Sequence, residues 1–432
     1  MGRTKRHRQR LSNKKNVSLD ALDDIICLKR WMHARNWKNN TKLILRNFES
    51  TGRGLSSNAN INISDRLIEI PFNLMITVVT LENCDIFEAV HSSGMKFTSQ
   101  ELLGLFLAIE KHKGKSSTWY PYINSLPDTP PLPWLCTEDQ LQMVPSPLQD
   151  KLINKRRMFD TCWERVQKGI ISSYTCPCCG NAGNFIVTLD LFTWGYVMVD
   201  TRAVYVNFQI VNSISARILE PYLLDMPCHA LCPFLDMFNH SQQVITDAKV
   251  IFEHGEWIYV LTALNRQMKH EQIFVSYGDH DNVNLICLYG FLLRPNILDD
   301  IYFTFEELCL ICKIKIDADQ YRCLGRDNLY ISSTGLSFNL KALLYVAHCT
   351  LKSDWNRIVF NESYTNSDLI LMHTCARSLL SNKFQKFSED VNLLTSCQIK
   401  SQSFSLIVEY FKYRLELIKE LIVFTERCIN KL

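Results

Sequence analysis

The sequence predicts an α+β protein: a β-rich domain interrupted by a helical insert and followed by an all-α C-terminal domain. Three observations predict it. Short apolar runs bounded by turn residues, such as Lys249–Glu253 and Trp257–Thr262 joined through His254-Gly255, have the form of a β-hairpin. Between about residues 96 and 185 the apolar period changes to three and four residues, opening at Thr98 and Glu101. From about residue 300 the periods lengthen and end in one stripe of Ile407, Phe411, Leu415, Ile418, Ile422 and Ile429, with charged residues between.

A chain of 432 residues exceeds one ordinary core and suggests two to three domains. With 47% apolar and 21% charged residues it is globular in composition, and a formal net charge of +3 excludes a polyanion-binding surface spread over the whole molecule. The positive charge is local. Arg3, Lys5, Arg6, Arg8, Arg10, Lys14 and Lys15 stand together without an acidic neighbour. This self-repelling run reads as a disordered basic tail over 1–18. A solvated terminus and a nuclear-import or nucleic-acid-touching arm both fit it. No apolar leader is visible and no uncharged run reaches the ~20 residues that span a bilayer. Seventeen cysteines, an odd number, are therefore expected to be reduced, in the cytosol and nucleus and with no membrane association.

Taken in order, Leu22, Ile25, Ile26, Leu28, Trp31 and Met32 predict an N-terminal helical segment within 19–48. Glu49–Leu55 is a glycine-interrupted turn that opens a domain over 49–293, and Asp65–Thr77 reads as short strands broken at Pro71. In the insert, Thr98 and Glu101 have capping-box spacing, Leu102, Leu103, Phe106 and Ile109 follow on one face, and Gly114 ends the helix. Seven prolines make Trp119–Pro147 irregular, and Leu148–Ile170 resumes a helix. Strands are expected from Phe185, including Trp194–Arg202 and Leu231–Phe238. A helical domain over 300–432 closes the chain.

The most specific signals are Phe234-Leu235-Asp236-Met237-Phe238-Asn239-His240-Ser241 and Tyr277-Gly278, with Asn282 and Tyr289-Gly290-Phe291 after them. Together with Thr51-Gly52-Arg53-Gly54-Leu55, their order and spacing resemble a SET methyltransferase with a helical insert. The added helical domain is similar to that of the plant Rubisco large-subunit methyltransferase branch, where it docks the substrate. The resemblance implies a β-rich SET domain, S-adenosyl-L-methionine as cofactor, and methyl transfer to a lysine of a histone or another protein by a monomeric enzyme. A SET-shaped binding module without turnover is the alternative. Retention of Tyr277, Asn239 and His240 argues against it.

Carried over residue by residue, the resemblance implies that Arg53, Gly54 and Leu55 lie against the methionine part of the cofactor. Thr201 and Arg202 would bind cofactor or substrate backbone, Arg202 as a cofactor residue through a charge-assisted contact to a carboxylate and Thr201 on the substrate, with a surface salt bridge the plain alternative for Arg202. Asn239 and His240 would hold the adenine end. Tyr277 would be the catalytic hydroxyl as well as a cofactor contact, and Tyr289 and Phe291 would form an aromatic wall. Asp236 would face the substrate amine, or be an aspartate in a strand-end turn. Apolar Val204 and Leu235 beside the expected pocket favour a lysine stem over an imidazole. Two departures stand out: His270 where many SET proteins have glycine, and Glu271-Gln272 where an acidic pair is usual.

Methyl transfer needs no metal. One motif outside the resemblance, Cys176-Pro177-Cys178-Cys179-Gly180, is nevertheless half a zinc knuckle, with Cys176 and Cys179 at ligand spacing. Cys228, His229, Cys232 and Cys162 are the candidates for the other half. Reduced loop thiols are the default reading of the motif.

Overall fold

The computed structural model describes residues 16–207, 210, 218–226, 228–312, 324–348, 355–397 and 399–432. The basic run of residues 3–15 lies outside the described residues. The chain forms two compact units, one of residues 1–130 and 154–279, the other of 131–153 and 280–432.

In the first unit, β1 (Asn16–Ser18), α1 (Asp23–His33), β2 (Leu43–Phe48), β3 (Gly52–Ser57) and β4 (Arg66–Pro71) come first. The helix α1 buries Ile25, Leu28 and Met32, as its period requires. The insert contributes α2 (Ser99–Lys113) and, from residue 154 on, α3 (Leu148–Val166), whose first six residues are counted in the second unit, and α4 (Leu189–Arg202) follows it. Then come β5 (Val204–Tyr205), β6 (His229–Ala230), β7 (Asn239–His240), β8 (Asp247–Glu253), β9 (Glu256–Thr262) and β10 (Gln272–Val275). The strands make a five-stranded sheet in the order β1-β2-β3-β10-β7, a three-stranded sheet β4-β9-β8, and the pair β5-β6.

Register places Leu45 opposite Leu55, and Leu55 opposite Ile273. These three are at most 1% exposed, a continuous apolar row across the larger sheet. At its far side β7 pairs parallel with β10, Asn239 against Phe274 and His240 against Val275. The hairpin foreseen from His254-Gly255 forms, with both turn residues at positive φ.

The helix α2 starts with the foreseen capping box: the Thr98 amide donates to Glu101 Oε2 at 2.7 Å and the Glu101 amide to Thr98 Oγ1 at 3.2 Å. Glu101 is fully buried and pairs with Arg165 of α3 at 2.7 Å. Gly114, at φ 52°, caps the end.

Two expected strands do not form. Trp194–Arg202 is the second half of α4, whose first turn is capped when Thr188 accepts from the Leu191 amide. Phe192, Trp194, Tyr196, Val197, Met198 and Val199 are all buried, so the helix is apolar around its circumference and shows no 3.6-residue alternation. Leu231–Phe238 is a buried turn. Pro233 has no N–H for a ladder, Phe234 takes a left-handed φ of 68°, and Leu235–Met237 is a single 3₁₀ turn.

The helices α2 and α4 meet at a glycine pair. A Cβ on Gly195 would lie 2.1 Å from the Gly104 carbonyl oxygen, and one on Gly104 would lie 2.9 Å from Tyr196 Cα. The clash is with backbone, so no rotamer relieves it. Gly195→Ala is therefore expected to destabilise the chain by about 1–3 kcal/mol or more despite alanine's better helix propensity. A denaturant midpoint that stays put or rises would contradict this packing.

The second unit contains α5 (Asn282–Leu288), a small sheet of β11 (Ile301–Tyr302), β12 (Tyr330–Ser332) and β13 (Gly335–Leu336), and the helices α6 (Phe338–His348), α7 (Asn366–Ser396) and α8 (Gln402–Lys431). Its core gathers Leu340, Leu343 and Leu344 with Met372, Ala376, Leu379, Leu380, Ile418 and Leu421. Of the foreseen C-terminal stripe, Ile407, Phe411 and Ile418 are buried and Leu415, Ile422 and Ile429 half-buried. Among the described residues no helix is long and apolar enough to cross a membrane.

Candidate active site

Short, unlike segments of the first unit meet around β7 and the end of β10. The Asn239 side-chain amide donates to the Arg53 carbonyl on β3 at 2.9 Å. Gly54 makes this approach available: a Cβ there would stand 2.7 Å from Asn239 Nδ2 and 2.5 Å from Gln272 Nε2. The close approach at this glycine is thus to two amide side chains. Leu55 points into the sheet core with no exposed surface, and its backbone lies between the paired strands β2 and β10, so it is not the ligand contact expected of it.

His240 is 5% exposed, and its Nδ1 accepts from the Tyr277 amide at 3.0 Å. That contact fixes Nε2 as the protonated nitrogen of the neutral ring. The imidazole stacks on the Tyr277 ring, centroids 5.2 Å apart. The Tyr277 hydroxyl donates to the Phe238 carbonyl oxygen at 2.6 Å. One phenol oxygen and one carbonyl oxygen therefore lie side by side, one residue before the Asn-His doublet. Gly278 leaves β10 at φ 119°, a backbone state suited to glycine.

Beneath this pair is a buried ionic group. Arg202, the last residue of α4, donates through Nη1 to the Asp236 carbonyl at 2.9 Å and to its Oδ2 at 3.1 Å. The Tyr122 hydroxyl donates to the same Oδ2 at 3.1 Å. Burial raises the Asp236 pKa above the ordinary carboxylate value, and Arg202, then Tyr122, pull against that shift. Burial and the Asp236 charge likewise push the Tyr122 phenol well up. Arg53 donates to the Ser125 carbonyl at 3.0 Å, and burial followed by the neighbouring Arg202 cation lowers its pKa.

These contacts revise two expectations. The carboxylate that Arg202 meets is Asp236 of its own chain, and Asp236 has no exposed side-chain surface with which to face a substrate amine. Its position is a buried 3₁₀ turn, with no strand end there. Thr201 bonds back to the Val197 carbonyl at 2.8 Å within α4. Tyr289 and Phe291 belong to the second unit, where their ring centroids are 6.1 Å apart. Asn282 of that unit is buried and holds Leu293 through both its amide oxygen and nitrogen, and Asp299 through its backbone and side-chain nitrogens. Sequence reasoning missed Tyr122, hidden in the proline-rich stretch, and the Phe238 carbonyl, which no residue type announces. His270 adopts φ 71°, the conformation that glycine takes without cost, which accounts for the glycine usual at that place.

The fold is that of a SET domain followed by a helical C-terminal unit. The chain is similar to SET domain-containing protein 4. That of Artemia parthenogenetica is 26% identical over 409 residues, covering 90% of this chain and 96% of the relative. The human protein is 29% identical over 313 residues, covering 71% and 68%. A crystal structure of the SET domain of LSMT bound to lysine and AdoHcy superposes with a TM-score of 0.58 at 16% identity, covering 94% of this chain and 92% of that one. More distant relatives include a ribosomal lysine N-methyltransferase of Schizosaccharomyces pombe, 24% identical over 66% of this chain and 64% of its own length. An actin-histidine N-methyltransferase of Danio rerio is 25% identical over 59% of this chain and 40% of its own length. No family model matches the chain.

Proposed function

We propose that this chain is an S-adenosylmethionine-dependent protein-lysine N-methyltransferase. It would act on a histone or another lysine-bearing protein in the cytosol and nucleus, where free thiols such as its own persist. The observation that carries this reading is the Tyr277 hydroxyl held 2.6 Å from the Phe238 carbonyl, beside the Asn239-His240 doublet. The cofactor supplies an electrophilic methyl on a sulfonium. Transfer of that methyl is in line, and the carbon gains positive character as it moves. Two oxygens placed together, neither of them a full anion, favour that charge by pre-set dipoles and need no rearrangement during the reaction.

The remaining groups suit a methionyl cofactor. Arg53 and Gly54 offer backbone on β3, and Asn239 and His240 offer backbone polar groups for an adenine edge. The basic tail is a further contact for an acidic partner or nucleic acid.

Lysine is favoured over histidine by the walls. Leu235 is buried and Val204 half-buried, and neither offers the hydrogen bond that would fix an imidazole tautomer. The histidine-modifying relative supplies the competing reading. The test is incubation of the full chain with labelled cofactor and a proteome or histones, with product sites read by mass spectrometry. Methyl-lysine is the expected product. Methyl-histidine alone would replace the substrate class, and no cofactor uptake in calorimetry would end the enzymatic reading.

A further inference from the structure

The cysteine motif that the fold did not explain is completed by a residue 67 positions earlier. His112 Nε2, in the last turn of α2, is 3.4 Å from Cys179 Sγ. Cys176 Sγ is 3.1 Å from Cys178 Sγ, and the four ligand atoms all lie within 4.8 Å of one another. Among the described residues this is the only such group of metal-ligating side chains. From these contacts we propose that His112, Cys176, Cys178 and Cys179 bind a structural zinc ion.

The backbone is shaped for it. The Gly180 amide donates to the Cys176 carbonyl at 2.8 Å, and the Cys176 amide to the Asn181 carbonyl at 2.9 Å. Thr175 bridges Ala182 below the loop, and Gly180 turns it at φ 72°. A tight turn of this kind folds the peptide back so that neighbouring thiols point to one side. Tetrahedral zinc with Zn–S of about 2.3 Å and Zn–N of about 2.0 Å sets ligand atoms roughly 3.5–3.8 Å apart, the scale seen here. Three thiolates and one imidazole select zinc over the oxygen-seeking cations. Four protein ligands close the coordination sphere, so the ion holds structure and does no chemistry.

Three of the other half-site candidates are placed elsewhere. His229 Nδ1 faces Ser99 Oγ at 2.8 Å, Cys232 has no exposed surface, and the Cys162 thiol sits against Glu101. The clamp would join the loop of residues 175–182 to α2, the helix whose Gly104 receives Gly195 of α4. Three thiolates and one Zn²⁺ leave the site with one net negative charge.

The test uses the full chain purified from zinc-replete cells. Expected are one zinc per chain by elemental analysis, and a cobalt-substituted form whose visible bands and thiolate charge transfer report a tetrahedral sulfur-rich site. Cys176→Ser with Cys179→Ser should remove the metal. Because that variant could also misfold, His112→Cys is the second arm. It should keep one zinc per chain and shift the cobalt bands toward an all-sulfur site. Sub-stoichiometric metal in folded protein, a Cys176–Cys179 disulfide in the isolated chain, or cobalt bands unmoved by His112→Cys would each overturn the proposal.

Discussion

Tyr277→Phe is expected to lower methyl transfer by ~10²–10³-fold while S-adenosylmethionine uptake stays near its native level, the loss typical of removing one pre-oriented polar group from a reacting centre. The ring persists, so its stack on His240 at 5.2 Å and the amide contact to His240 Nδ1 persist as well. What disappears is one oxygen and the hydrogen bond to the Phe238 carbonyl. A structural role alone predicts something different: about 0.5–1.5 kcal/mol of stability lost and turnover nearly intact. Single-turnover rates under saturating cofactor, paired with a denaturation curve, separate the two. Turnover within a few-fold of native in a folded variant would remove Tyr277 from the reaction.

Asp236→Ala carries the second large effect, and it falls on stability. The carboxylate is wholly buried and its Arg202 partner is 18% exposed. Deleting the anion strands a guanidinium and leaves the Tyr122 hydroxyl without its acceptor, a loss of about 3–5 kcal/mol for breaking such a pair. Removing both charges differs in sign of consequence. Arg202→Met with Asp236→Leu is expected to recover most of that stability, since apolar replacements of a buried pair are often near neutral. Catalysis should not recover with it. A double variant that is stable and fully active would show that the ion pair serves packing only.

How much of this was legible in the chain depends on what kind of signal each element leaves. The capping box at Thr98, the hairpin at His254-Gly255 and the periods of α1 and α8 were readable because local rules determine them. Helix α4 was not, because burial on all sides erased the alternation that separates helix from strand. The Phe234–Phe238 turn hid in an apolar run for the same reason. Asn239, His240 and Tyr277 were recognisable as a pattern, and the structure brings them together. The partnership of Tyr122 with Asp236 spans 114 positions, and that of His112 with Cys179 spans 67. No local rule links residues so far apart. Arg202 was singled out for its charge, but only the fold shows that its anion is internal.

The parallel pairing of β7 with β10 also bears on the order in which the chain becomes competent. Asn239 and Phe274 pair across the intervening β8-β9 hairpin, and β3 must arrive from more than two hundred positions earlier. Closing such large loops is entropically costly and slow, whereas α1, α2 and α8 gain their contacts locally. In a refolding experiment, far-ultraviolet helical signal should therefore return well before the capacity to take up a nucleoside, and a nascent chain should be helix-rich while still catalytically silent.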